Sequence, residues 1–170
     1  PFGVVALQAG QEVRKAGAQT ERLHSEGVLA RIARLDSPQP GLMHLQCRGA
    51  QRFHIQRCWQ LPHGLWVADV TMLPDDPKVT VPKHLLSTSH ALAQALLNLH
   101  DHDPDHAQLP TPAQMHDCAW VANRWAEMLP LPVRIKQQLM TLDAPLLRLE
   151  LIADVLEQSG ITGSPPQDDA

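Results

Sequence analysis

At Pro74-Asp75-Asp76-Pro77 the spacing of apolar residues changes from two to between three and four, and it changes only once along the chain. Two prolines around two aspartates disfavour both a β ladder and a helix, so the segment reads as a junction. Strands that all precede the helices cannot build an alternating parallel sheet, and the expected fold class is α+β. The expected organisation is a β subdomain over residues 1–77, a helical subdomain over 78–160 and a disordered tail over 161–170.

Before the junction the spacing predicts about five strands. Phe2 to Leu7 and Gly27 to Leu35 are two of them, and Gln8 to Glu26 between them, polar and glycine-bearing, reads as a loop. Met43, Leu45 and Cys47 are expected on one side, with His44, Gln46 and Arg48 on the other. After a turn at Gly49, a glycine suited to positive φ, Phe53 and Ile55 resume the inward side. Leu65 to Leu73 completes the set as a strand buried between layers. The opening Pro1-Phe2-Gly3-Val4-Val5-Ala6-Leu7 already reads as strand without an initiator Met, which predicts that the natural protein begins earlier.

Beyond the junction Pro82 is placed to begin a helix, and Leu85, Leu92, Ala93, Leu96 and Leu99 recur at helical spacing through about His100. Asp101 to Gln114, with three prolines, reads as a loop. Asp117 is a candidate cap for a helix whose stripe is Cys118, Val121, Ala122, Trp125 and Leu129. Pro130 and Pro132 separate it from another helix, and Asp143 is expected to cap a last one, stopped at Gly160.

The formal net charge is −4, and the 14 Lys and Arg are scattered, which argues against a nucleic-acid partner. Three well-separated cysteines, Cys47, Cys58 and Cys118, form no C-x-x-C pair and read as free thiols of a reducing compartment, so the cytoplasm is expected. No run of about 18 apolar residues predicts a membrane span.

Groups of the kinds that carry chemistry are few. His100-Asp101-His102-Asp103-Pro104-Asp105-His106 concentrates ligand types for a borderline metal. Pro104, however, breaks the helix that would put His102 and His106 on one face, so a solvated loop is the plainer reading. His54 and His63 have no partner assignable from spacing. Ser87 and Ser89 near Lys83 and His90 lack a nucleophile elbow and read as a helix's polar face. No Gly precedes a Lys, which excludes a P-loop, and no dinucleotide glycine motif exists. No catalytic, cofactor or metal residue is nominated, and no cofactor is expected. Among the four tryptophans, Trp125 and Trp66 are expected in the core, whereas Trp59 and Trp120 are candidate protein contacts, being of the residue type that dominates binding hot spots.

In order and spacing, Gly27-Val28-Leu29-Ala30-Arg31-Ile32, Gly41, Gly49-Ala50-Gln51-Arg52-Phe53-His54-Ile55 and Gly64-Leu65-Trp66-Val67-Ala68-Asp69-Val70 resemble the β portion of the Lon protease N-terminal domain. Asp117-Cys118-Ala119-Trp120-Val121-Ala122-Asn123-Arg124, Leu129-Pro130-Leu131-Pro132, Lys136-Gln137-Gln138-Leu139-Met140 and Arg148-Leu149 resemble its helical part. The resemblance implies a PUA-like β pseudo-barrel followed by a helical bundle. It further implies a stand-alone, non-catalytic module that recognises unfolded or exposed apolar protein segments, in a family where this domain serves an attached unfoldase and protease. A protease or chaperone complex is the implied assembly. The family's opening apolar strand and proline-glycine turn are absent, as are its ATPase module and catalytic serine and lysine. Two alternatives stand beside this reading: a metal-dependent hydrolase centred on His100, His102 and His106, and an RNA-binding PUA-like domain.

Overall fold

Period-two alternation and helical spacing resolve into two compact units, Pro1–Asp75 and Asp76–Ala170, in a computed structural model that describes residues 1–10, 21–103 and 109–161. The first unit is a single antiparallel sheet of order β1-β2-β3-β4, formed by Phe2–Ala9, Arg22–Gln39, Leu42–Gln60 and Trp66–Met72. The expected α+β class is what the structure shows.

The strand count differs from the expected five because Met43 to Cys47 and Phe53 to Ile55 belong to one 19-residue strand. Reversal occurs at Pro40-Gly41, where Gly41 takes φ 82°, and again at Gly64 with φ 94°. Gly49 has no positive φ and sits opposite Ala30 inside the ladder, so the turn expected there is absent. Nor is Gln8 to Glu26 all loop. Gln8 and Ala9 extend β1, residues 22–26 belong to β2, and residues 11–20 lie outside the described residues.

Phe53 is the buried centre of the sheet's inner face, and the two glycines beside it explain how strands approach so closely. A Cβ on Gly27 would come within 2.6 Å of both Phe53 Cζ and Val4 O. Trp66, expected in the core, is only half-buried.

In the second unit a 3-10 turn at Lys83–Leu85 leads into α1 (Leu86–His102), followed by α2 (Pro112–Met115), α3 (Cys118–Met128), α4 (Val133–Thr141) and α5 (Pro145–Gln158). Their helical spacing converges on one core in which Leu92, Cys118, Val121, Leu149, Ile152 and Leu156 are fully buried. Each such aliphatic side chain contributes about 1.5–3 kcal/mol relative to exposure. Trp125 is core as expected, and its indole Nε1 donates to the Thr88 carbonyl at 3.0 Å. Ser89 is not on a polar face. It is buried, and its hydroxyl donates to Met115 O at 2.7 Å, tying α1 to the end of α2.

Asp117 caps α3 by accepting from Ala119 N at 3.0 Å. Thr111 and Gln114 form a reciprocal capping box on α2, which shortens the loop expected over residues 101–114. Asp143 does not cap α5; the cap position is Ala144, without a side-chain bond, and Pro145 begins the helix. Gly160 ends it with φ 69°. The expected tail lies, from residue 162 on, outside the described residues. Among the described residues no helix is long and apolar enough to cross a membrane.

Arg148, 1% exposed, donates through Nη1 to Asp76 Oδ2 at 2.7 Å and Asn123 Oδ1 at 2.9 Å, and through Nη2 to Asp76 Oδ1 at 3.2 Å and to the Leu142 carbonyl. One charged side chain thus joins the first residue of the unit to α3, α5 and the α4–α5 connection. Only its Nε lacks a partner.

Candidate protein-binding surface

Strand register decides what the sheet shows to solvent. Alternation by two would place Cys47 and Phe53 on the same face of β3. However, β3 has two residues, Ala50 and Gln51, between the partners of Val28 and Ala30, where β2 has only Leu29. This bulge reverses the parity, so Met43, Leu45 and Cys47 lie on the face opposite Phe53. The inward row expected from their spacing is therefore exposed.

A second irregularity on β2, between Ile32 and Arg34, puts Ile32 opposite Cys47 and Leu35 opposite Leu45, so two apolar residues three apart share that outer face. The pairing of Phe2 with Ala30 and Val4 with Val28 adds β1 to it. Trp59 joins it across the β3–β4 ladder, because the irregularity between Ile55 and Arg57 shifts the alternation again. Phe2, Val4, Ile32, Leu35, Met43, Leu45 and Trp59 all have between 37% and 67% of their surface in water. Exposed apolar side chains are ordinary when scattered, but gathered on one face they mark an interaction surface.

Arg57 stacks over the Trp59 ring at 4.9 Å and pairs with Asp69 at 3.1 Å across the ladder. This holds the indole in place at an accessible position, the character of an anchoring contact. Trp120 is different. It is half-buried against the helical core, with Arg124 at 5.5 Å over its ring and Arg124 paired to Glu127. The two tryptophans lie in separate units.

On the same outer face Glu26 sits opposite His54. The His54 Nδ1 donates to Glu26 Oε1 at 2.9 Å, and the Ser25 hydroxyl donates to Oε2 at 2.8 Å. Burial works to raise the Glu26 pKa, but the Ser25 and His54 contacts outweigh it and hold the carboxyl below its ordinary value. The serine bonds to the carboxylate and not to the imidazole, so the trio has no nucleophile–base contact.

The described part of the histidine run ends at Asp103. His102 Nδ1 donates to Asn98 O at 2.7 Å within its own helix. His106 lies outside the described residues, and among those described no three His, Cys, Asp or Glu side chains are grouped to hold a metal. A cavity of about 470 Å³ on the sheet is lined by Glu21, Arg22, His24, Ser25, Cys58 and Trp66, among others.

Residue type singles out Trp59 in the sequence but not the apolar face, because no residue type announces where a bulge falls. The runs Ile32 to Leu35 and Leu42 to Leu45 were the available signal, being apolar at positions that no simple alternation would bury.

A family model for the ATP-dependent protease La (LON) substrate-binding domain matches residues 1–158. The crystal structure of a Lon N-terminal domain protein from Xanthomonas campestris is similar to this chain, with 26% identity and a TM-score of 0.62 over 78% of this chain and 68% of that one. The N-terminal domain of the Mycobacterium avium complex Lon protease is a more distant likeness, with 21% identity and a TM-score of 0.44 over 80% of this chain and 72% of that one. Comparison with curated proteins found no match.

Proposed function

The chain belongs to the substrate-binding domain family of the ATP-dependent protease La (LON), and on that premise we propose that it captures unfolded or exposed apolar segments of other proteins without doing chemistry on them. The observation that carries this reading is the apolar outer face built by Phe2, Val4, Ile32, Leu35, Met43, Leu45 and Trp59. In this reading recognition is carried chiefly by the β subdomain of residues 1–77, and the helical subdomain of residues 78–160 contributes Trp120 alone. Trp59 anchors the captured segment, and Trp120 is a secondary contact. The module works in the cytoplasm, where the exposed thiols of Cys47 and Cys58 stay reduced, and presents its cargo to a protease or chaperone complex.

The two-strand arm from Arg31 to Ala50 is exposed along its whole length, so binding energy comes from covering side chains already in place. Burying three or four of them against a captured segment supplies several kcal/mol at about 25 cal/mol per Å², before the costs of ordering the segment. The test is fluorescence anisotropy with a labelled, permanently unfolded polypeptide. Leu35→Ser with Leu45→Ser is expected to weaken binding by about tenfold or more while leaving thermal stability nearly unchanged, because both side chains are solvent-exposed. Equal binding by the double variant and the parent chain would remove the basis of the proposal.

A further inference from the structure

The cavity on the sheet opens where two ladders part. β2 and β3 pair no further than Glu26 and His54, yet β1 and β2 continue to Ala9 and Arg22, and β3 and β4 to Gln60 and Trp66. Residues 22–25 and 55–60 therefore have no ladder between them, and all four strands contribute to the wall of the space of about 470 Å³. A volume of this size suits a small organic ligand. Both irregularities of the β1–β2 ladder fall here, since Gln8 is surplus on β1 and His24, Ser25 and Glu26 stand against Ala6 alone. Neighbours in a plain strand alternate between faces, but bulges re-aim them, and residues 21 to 25 in unbroken succession reach one cavity. Cys58, beside Trp59 in a regular stretch of β3, faces the other side of the sheet from it, so the cavity is separate from the apolar outer face.

From this we infer that the cavity binds a small monocarboxylate with an apolar body, taken either as a free acid or as the C-terminal end of a polypeptide. Leu23, Ile55 and the half-buried Trp66 give it apolar walls, and Arg22, His24 and Gln8 supply polar groups. Arg22 is exposed and has no anionic partner among the described residues. Its planar fork of donors matches the two oxygens of a carboxylate, and the contact is charge-assisted. Glu21 also lines the cavity and already has a partner, so its charge disfavours a second negative group on the ligand. The inference does not rest on the capture of segments by the outer face.

Cys58 lines the cavity and reports on its occupation. In a Cys47→Ser background it is the remaining exposed thiol, because Cys118 is buried. The probes are N-acetyl-leucine, a short glycine-serine peptide ending in leucine, and the C-terminal amide of each. Alkylation of Cys58 by iodoacetamide, followed by mass spectrometry, is expected to slow by about fivefold or more with a saturating acid, and the matching amide to need about tenfold or more higher concentration for the same protection. Protection by N-acetyl-leucine alone marks the ligand as a free acid, and protection by the peptide alone marks it as a chain terminus. Arg22→Gln is expected to raise the concentration needed by about tenfold, whereas Arg31→Gln, which removes the same charge outside the cavity, leaves it unchanged. No protection by either acid, equal protection by acid and amide, or an Arg22→Gln variant protected as well as its parent or as the Arg31→Gln variant, overturns the inference. None of these outcomes touches the capture reading, which anisotropy with the unfolded polypeptide tests separately.

Discussion

Replacing Arg148 by methionine keeps the length and apolar stem of the side chain and removes only its charge and donors. Asp76 then retains a carboxylate with 14% of its side-chain surface exposed and loses both oxygens' guanidinium contacts, while Asn123 Oδ1 and the Leu142 carbonyl lose a donor. Breaking a buried ion pair from one side costs about 3–5 kcal/mol, most of it the uncompensated charge left behind. For a unit of this size that lowers the midpoint of thermal unfolding by roughly 15–30 °C. The decisive comparison is the Arg148→Met, Asp76→Asn double variant. It removes the stranded charge and is expected to recover about 1–3 kcal/mol relative to the single change, a coupling of the size seen for residues in direct contact. Urea unfolding followed by helical circular dichroism measures both, because among the described residues all the helix lies in the second unit. A single variant that loses less than about 1 kcal/mol, or a double variant no more stable than the single one, would refute the account of Arg148 as the charge-balanced tie of the helical unit.

Other changes probe the sheet and the remaining core. Gly27→Ala drives a methyl group into Phe53 and the fixed Val4 carbonyl and should cost about 1–3 kcal/mol in urea unfolding, whereas Gly49→Ala, whose new Cβ meets only Val28 Cγ1 at 3.6 Å, should change stability little. Because the folded chain holds Glu26 below its ordinary pKa of 4.5, its contribution is present above that value and is lost as pH falls through the depressed folded value. The stability advantage of the parent over Glu26→Gln should therefore shrink on acidification, and an advantage constant down to acid pH would contradict the Ser25 and His54 contacts. Trp125→Phe removes the indole bond to the Thr88 carbonyl, which keeps its helical partner, and shrinks a buried side chain; it should cost about 1–3 kcal/mol, read by thermal unfolding.

The helical half was legible because its signals are local. Asp117 caps where its position before an apolar run says it should, the stripe from Cys118 to Leu129 is buried, and Gly160 ends the last helix. The Asp143 expectation failed because a polar residue two places before Pro145 competes with proline's own fixed φ, which starts the helix without a side-chain cap. The sheet was legible in number and direction of strands only approximately, since pairing partners lie far apart in sequence. Glycine counts as a turn signal only where the chain reverses, and Gly41 and Gly49 look alike until their partners are known. The same limit hid the apolar outer face. Trp59 could be singled out by residue type, but the grouping of Leu35 with Leu45 and of Ile32 with Cys47 depends on register, which the periodicity of one strand does not contain.

The surplus residue between Gly49 and Arg52 lets two residues three apart in sequence share one face, while β2 passes from Val28 to Ile32 at ordinary spacing opposite them. The facing of the distal hairpin is therefore carried by β2, and β3 absorbs an odd count without turning over. Shortening β3 by one amino acid at this point would restore plain alternation and leave Ile32, Leu35 and Leu45 on the side they already occupy, so the greasy front of the hairpin tolerates a change of length there.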